Sequence, residues 1–280
     1  MTTYNDGTHL RRLETAEIAA WGDFYRAASP ASAAACGLGL LEDDGTLAVR
    51  AAAADVLALN TVMGLGLKRP ASDATIEKLV EFFVSARVPR FFVKVSPTTE
   101  AADIGESLTA RGFKHYNNWV KLYRDTSPPP HASTDLEIRR IDEDEAPAFG
   151  RIVVSCFDWP ESAASWVADM VGRDSWRHYM AFDGAGPAAT GALFVSQGLA
   201  WIDFATTLPE YRGRGAQSAL LAQRIRDAAE LGCEGLVVET AEDRSEKPAP
   251  SFRNQLRFGF QVAYVRPNFI YYVAFSPADS

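Results

Sequence analysis

The segment Thr207-Leu-Pro-Glu-Tyr-Arg-Gly-Arg-Gly-Ala-Gln-Ser-Ala-Leu-Leu221 sets two glycines among arginines just ahead of a run with helical spacing. Arg212, Gly213 and Gly215 make a tight loop whose backbone N–H groups can point at one centre, and the N-terminus of the next helix adds its dipole. Glycine is needed there because a side chain would keep an anion away from the backbone. The chemistry open to such a loop is cradling a diphosphate. No Gly-Lys-Ser/Thr follows, so it is not a Walker loop, and GxGxxG is absent after Arg212. Gly37-Leu-Gly39 and Gly64-Leu-Gly66 read as plain tight turns.

Two carboxylates could handle a proton. Asp203 stands four residues before Thr207 on the otherwise apolar strand Trp201-Ile-Asp-Phe-Ala205. An acid inside an apolar strand tends to a raised pKa, whereas one on a solvated strand face does not. Glu239 closes Leu236-Val-Val-Glu-Thr240. That is the strand end where ligands bind in α/β sheets, although a solvated strand-end carboxylate reads the same. His178, between aromatics in Trp176-Arg-His-Tyr-Met180, reads as structural, and Cys156 and Cys233 as small core residues. The three cysteines and four histidines are scattered without CxxC or HExxH spacing. That argues against a disulfide framework and a metal enzyme.

These residues need elements to hold them. In the second half Leu136–Arg140 reads as a strand, the acids from Asp142 open a helix, and Ser155–Glu161 is a loop before a helix over Ser162–Val171. Strands follow at Trp176–Phe182, Ala188–Ser196 and Leu199–Thr207, the last two joined by the Gln197-Gly198 hairpin signal. Gly213–Leu231 is a helix, with Leu221, Ile225 and Ala228 at helical spacing and Gly232 as its stop. Gly235–Thr240 is a strand, Pro250–Phe258 a short helix, and Gln261–Val265 and Asn268–Phe275 two final strands. The order predicts a mixed α/β sheet.

The first half follows the same order. Helices are expected over Ala16–Ala28, Ser72–Ala86 (with Ser72 as N-cap) and Ala101–Arg111. Strands are expected over Ala34–Leu41, Thr46–Ala52, Asp55–Met63, Arg90–Val95 and Asn118–Tyr123. The endings Leu108-Thr-Ala-Arg-Gly-Phe113 and Leu256-Arg-Phe-Gly-Phe260 match, which reads as duplication at whole-domain period. Between the halves lies Asp125-Thr-Ser-Pro-Pro-Pro-His-Ala-Ser-Thr134, whose prolines stop helix and strand alike. The organisation expected is residues 1–125, a linker 126–134, and 135–280.

The 280 residues are 47% hydrophobic and 23% charged, enough for a sizeable core and against global disorder. Net charge is -8, and residues 1–130 carry 14 basic and 15 acidic groups, so the acidity belongs to the second half. An acidic chain repels phosphate backbones, which disfavours nucleic acid as a partner. The most apolar stretch, Val49–Leu67, is broken by Arg50, Asp55 and Asn60, so no membrane span is expected. Met1–Arg12 lacks the form of a signal peptide, and the expected location is cytoplasmic.

The loop and its surroundings resemble the GNAT superfamily of N-acetyltransferases, whose acyl-CoA signature is Arg/Gln-x-x-Gly-x-Gly/Ala. Pro209, Tyr211, Arg212, Gly213 and Gly215 are in register with it, and the likeness extends over about residues 136–275 through the element order, Ser251-Phe-Arg-Asn254 and Gly259-Phe260. The last signature position departs from the pattern, being Gln217. The resemblance implies two tandem GNAT-like folds, each a mixed, mainly antiparallel sheet flanked by helices. The first is a degenerate copy without a CoA loop, because Lys68-Arg-Pro-Ala-Ser-Asp-Ala74 carries no such motif.

It further implies transfer of an acetyl group from acetyl-CoA to a primary amine by direct attack, without a metal. The diphosphate is expected on Arg212, Gly213, Arg214, Gly215, Ala216 and Gln217, and the pantetheine arm along Ala205, Thr206 and Thr207, where the strand splays from its neighbour. Asn254 is a further contact, and Asp203 and Glu239 are the candidate bases. The family's general-acid tyrosine position holds Gln255 here, with Tyr264 and Tyr271 as substitutes. That departure keeps a non-catalytic acyl-CoA sensor open as an alternative, beside a different acyl group or a hydroxyl acceptor. The acidic second half, with Asp158 and Glu161 in the expected acceptor loop, favours a cationic acceptor. The first half is expected to wall the acceptor cleft, and residues 131–280 to bind one acetyl-CoA unaided.

Overall fold

The computed structural model describes residues 7–98 and 104–274. The first half runs α1 (Gly7–Ala27), α2 (Pro30–Cys36), β1 (Leu38–Asp43), β2 (Thr46–Ala51), β3 (Thr61–Met63), α3 (Asp73–Val84), β4 (Arg90–Lys94), α4 (Ile104–Ala110) and β5 (Lys114–Asp125). The second runs β6 (Glu137–Arg140), α5 (Ala146–Phe157), α6 (Ala163–Ala168), β7 (Trp176–Asp183), β8 (Gly186–Ser196), β9 (Leu199–Thr207), α7 (Ala216–Glu230), β10 (Gly235–Ala241), α8 (Pro250–Arg257) and β11 (Gln261–Tyr272).

Three expectations need correction. The strand expected over Ala34–Leu41 is the end of α2 followed by β1. Ser29 caps that helix by accepting from the Ser32 N–H, Pro30 starts it, and Gly37 ends it at φ 61°. Within Asp55–Met63 only Thr61–Met63 is strand, preceded by a 3-10 turn at Leu57–Leu59. The two final strands are one, β11, which passes through Pro267 beside a bulge. The start of the helix expected from Ala101 and the end of the strand expected to Phe275 lie outside the described residues.

All the strands share one sheet in the order β1-β2-β3-β4-β11-β5-β10-β9-β8-β7-β6. Among the described residues only β3–β4 and β9–β10 are parallel pairs. The halves exchange their last strands: β11 pairs with β4 and β5, while β5 also pairs with β10. Both neighbours of β11 therefore come from the first half. That bears on the expectation that residues 131–280 bind unaided, because cutting there strips β11 of every ladder hydrogen bond. The proline-rich segment is also tied down, with Thr134 Oγ1 donating to the Arg214 carbonyl at 2.7 Å.

α1, α2, α5 and α6 cover one face of the sheet, α7 and α8 the other face of the second half, and α3 and α4 that of the first. α1 crosses between halves. Phe24 stacks on Trp166 at 4.1 Å, and the Trp166 indole donates to the Phe24 carbonyl at 3.0 Å.

Glu14 and Glu17, one turn apart on α1, are fully buried against the exchanged strands. Arg266 meets Glu14 at 2.8 Å and Glu17 at 2.7 Å, Lys94 meets Glu17 at 2.9 Å, and Lys121 also binds Glu17. Glu239 completes the cluster, 3.3 Å from Lys94 and 3.2 Å from Lys121, and bonded to Arg266. Three acids face three bases, so the buried charge balances, as an ion cluster removed from water requires. Burial alone pushes the Glu17 carboxyl up, but Arg266, Lys121 and Lys94 outweigh it and hold it well below the usual range. Burial pulls Lys94 down to about 8 despite Glu17.

Candidate functional site

The loop from β9 to α7 puts Gly213 and Gly215 at φ 81°, the left-handed region that favours glycine. Nothing lies within 4 Å of where a Cβ on Gly213 would sit, so that side is open. A Cβ on Gly215 would collide with the carbonyl of Ser133. That glycine is needed for packing against the proline-rich segment as well as for any ligand. No side chain caps α7, so the first N–H groups of this helix have no partner within it.

These groups open on a cleft of about 590 Å³. Of the residues expected to bind the ligand, Ala205, Thr207, Arg212, Gly213, Gly215, Ala216, Gln217 and Asn254 line it. Thr206 and Arg214 do not. Thr206 is buried with its hydroxyl 2.7 Å from that of Thr190, and Arg214 turns away to Asp135 and to Asp183, at 2.7 Å. Gln217 donates to the carbonyls of Thr190 (3.2 Å) and Thr206 (2.6 Å), tying the first turn of α7 to β8 and β9. Gln255 also lines the cleft. It is buried, and its Oε1 has no hydrogen-bond partner. An orphan acceptor beside a row of free N–H donors fits a ligand with amides and an anionic group.

β9 and β10 pair only from Leu199–Trp201 with Gly235–Val237, then separate. At the separation β9 bulges, with Phe204 at φ 51° and a register shift against β8. Arg224, fully buried on α7, reaches the carbonyl of Asp203 at 3.4 Å and that of Ala192 at 3.4 Å. Burial lowers its pKa to about 10.

The bulge divides two cavities. Ala205 faces the cleft just described, while Asp203 and Phe204 face a second cavity of about 400 Å³. Glu17, Trp21, Lys94 and Trp119 of the first half and Trp159 of the second also line it. Asp203 accepts from the Phe204 N–H at 2.7 Å and the Trp201 indole at 3.3 Å. Burial raises its pKa, and those two hydrogen bonds only partly offset that. Glu239 borders the same cavity but is held in the ion cluster.

The substitute acids do not reach either cavity. Tyr264 donates to Glu14 within the ion cluster, and Tyr271 packs 4.7 Å from Phe113. His178 is buried against Phe149 and Trp176. Asp158 and Glu161 are exposed, while their neighbours Phe157 and Trp159 turn into the second cavity. Among the described residues no group of three or more His, Cys, Asp and Glu could hold a metal ion, and no helix is long and apolar enough to cross a membrane.

Residues 136–252 match the model of the acetyltransferase (GNAT) family. A tandem GNAT protein from the clavulanic acid biosynthesis pathway is similar throughout, with a TM-score of 0.56 at 16% identity over 97% of each chain. The chain is a tandem GNAT-fold protein. A GCN5-related N-acetyltransferase from Kribbella flavida gives a TM-score of 0.61 at 14% identity, over 90% of this chain and 98% of that one. One from Sphaerobacter thermophilus gives 0.60 at 15% identity, over 84% and 82%. No curated protein sequence matches.

Within this tandem GNAT fold, sequence reasoning passed over Arg224, Lys94 and the tryptophans at 21, 119 and 159. Arg224 left a trace, since it follows Leu220 by one turn on the buried stripe of α7. The tryptophans left none, because they lie on separate elements that only the fold unites.

Proposed function

We propose that this protein is an N-acetyltransferase that moves the acetyl group of acetyl-CoA to a primary amine. The reading is carried by the bulge at 203–205, where consecutive residues wall the two cavities. A donor in the cleft and an acceptor in the second cavity then meet across one stretch of backbone. Arg212, Gly213, Gly215, Ala216 and Gln217 hold the diphosphate, and Ala205 and Thr207 pair with the pantetheine amides where β9 has lost its strand partner.

Asp203 is the base. It lies beside the gap and has a raised pKa, whereas Glu239 is committed to Arg266, Lys94 and Lys121. Asp203 takes a proton from the ammonium, the freed nitrogen bonds to the acyl carbon, the carbon–sulfur bond breaks with its electron pair leaving on sulfur, and the new amide nitrogen gives its second proton to water. Gln255 cannot donate as a tyrosine would, so the thiolate is protonated by solvent. The same substitution supports a second reading, a sensor that binds acyl-CoA without turning it over.

Release of free thiol from acetyl-CoA in the presence of amines separates the two. Turnover is expected, and Asp203→Asn should lower kcat/KM roughly 100-fold at neutral pH with acetyl-CoA affinity kept. Binding without thiol release for any amine would leave the sensor. Turnover undiminished in the Asp203→Asn variant would remove Asp203 as base.

A further inference from the structure

The second cavity has an unusual wall. Four of the chain's six tryptophans, Trp21, Trp119, Trp159 and Trp201, line it together with Phe157 and Phe204. They come from α1, β5, the α5–α6 loop and β9, so sequence proximity does not explain the gathering. Trp159 stands edge-on to Phe204 at 6.5 Å and tilted against Phe157 at 5.2 Å.

The polar groups in the wall are few and mostly engaged. Lys94 is the only cation among the lining residues. It is held by Glu17 and Glu239 and lies over Trp119 at 4.5 Å. An acceptor carboxylate would find no free cation, and the hydroxyls of a sugar would find few free partners. Glu17 and Glu239 are balanced within their cluster. Asp203 remains, with no cation in ion-pair contact among the described residues. One negative group set in a flat apolar wall recognises one ammonium on a flat apolar body.

We propose that the acceptor is a primary amine carried on an aromatic or similarly flat apolar skeleton and bearing no carboxylate. This rests on reading the second cavity as the acceptor site. It moves the recognition of charge from the exposed Asp158 and Glu161 to Asp203, and gives the first half a direct part in choosing the substrate, through Trp21 and Trp119.

The test compares phenylethylamine with phenylalanine, ethanolamine and glucosamine on the full-length protein. Binding is read by quenching of tryptophan fluorescence and by calorimetry, and turnover by thiol release from acetyl-CoA. Phenylethylamine is expected to bind at least roughly tenfold more tightly than the other three. Trp159→Ala should remove most of that preference and Trp159→Phe restore it, with acetyl-CoA affinity unchanged in both. Equal binding of all four, or preferential acetylation of phenylalanine or glucosamine, overturns the proposal and leaves acetyl transfer standing. Preferential binding of phenylethylamine without thiol release from any amine overturns acetyl transfer and upholds the selectivity of the cavity.

Discussion

Each half carries a strand followed by a loop and a helix, and the two loops have opposite characters. Between β9 and α7, Gly213 and Gly215 open on a cleft and no side chain caps the helix. Between β3 and α3, Gly64 and Gly66 have the same left-handed backbone, but a Cβ on Gly64 would collide with the Gly45 carbonyl. Gly64 thus permits close packing, as Gly215 does against Ser133, and neither has the open side that Gly213 has.

Ser72 already accepts from the Thr75 N–H at 3.1 Å, and Asp73 sits in the first turn of α3. Asp43 and Asp44 border the cavity of about 350 Å³ beside this loop, held by Lys78 and Arg69. A helix N-terminus can serve an anion only while its donors and its field are free. Here the protein's own side chains use both. On the reading proposed above, two loops in one fold differ in what they leave free for a ligand through a handful of residues between strand and helix.

The largest way to break the comparison is to separate the halves. A fragment of residues 131–280 is expected to lack a cooperative thermal transition, since β11 has lost β4 and β5. A folded fragment that binds acetyl-CoA would show that the exchange is dispensable.

The two loops are then tested with Gly213→Asp and Gly213→Asn, since both side chains tolerate the left-handed backbone. The added negative charge should weaken acetyl-CoA binding by about 100-fold, and the neutral amide by far less. Calorimetry should also give one bound acetyl-CoA per chain. Two would restore the first loop as a binding site.

A smaller effect tests the frame of the second half by pH. Burial, with a lesser push from Arg140, lowers the His178 pKa from 6.5 to about 3. The folded ring stays neutral while the unfolded one takes a proton below pH 6.5, so stability falls as pH drops through that window. Denaturant titrations should show a loss of about 2 kcal/mol between pH 7 and 5 from this residue. His178→Phe should remove that part of the slope, and an unchanged slope would show that His178 charges in the folded state.

The smallest effect concerns the occupied loop. Ser72→Ala should cost about 1 kcal/mol of stability by freeing the Thr75 N–H, with acetyl-CoA binding unaltered. A changed stoichiometry would mean that the cap alone had been excluding the ligand.

The sequence by itself determined the features that rest on neighbours along the chain. The Gly213–Gly215 loop, the Gln197-Gly198 hairpin with both residues at positive φ, and the Ser72 cap were all legible, because turns and caps close over a few residues. The strands from Trp176 to Thr240 were legible as short apolar runs bounded by turn signals. Where signals are weak, local pattern misleads: the Ala-rich run from Ala34 suggests a strand and is helix in its first part.

What only the tertiary structure decided is which edge meets which. β5 and β11 pair through backbone groups that nearly every residue carries, and nothing local tells one sheet neighbour from another. The exchange brings Glu17 and Lys94 of the first half to Glu239 and Arg266 of the second, and commits one of the two candidate bases to an ion cluster. It also carries Trp119 on β5 to the cavity that Trp159 and Trp201 line. Each of these residues reads alone as a core aromatic or a stray charge. Burial and charge balance are properties of a shared interior, and that interior exists only once distant strands have paired.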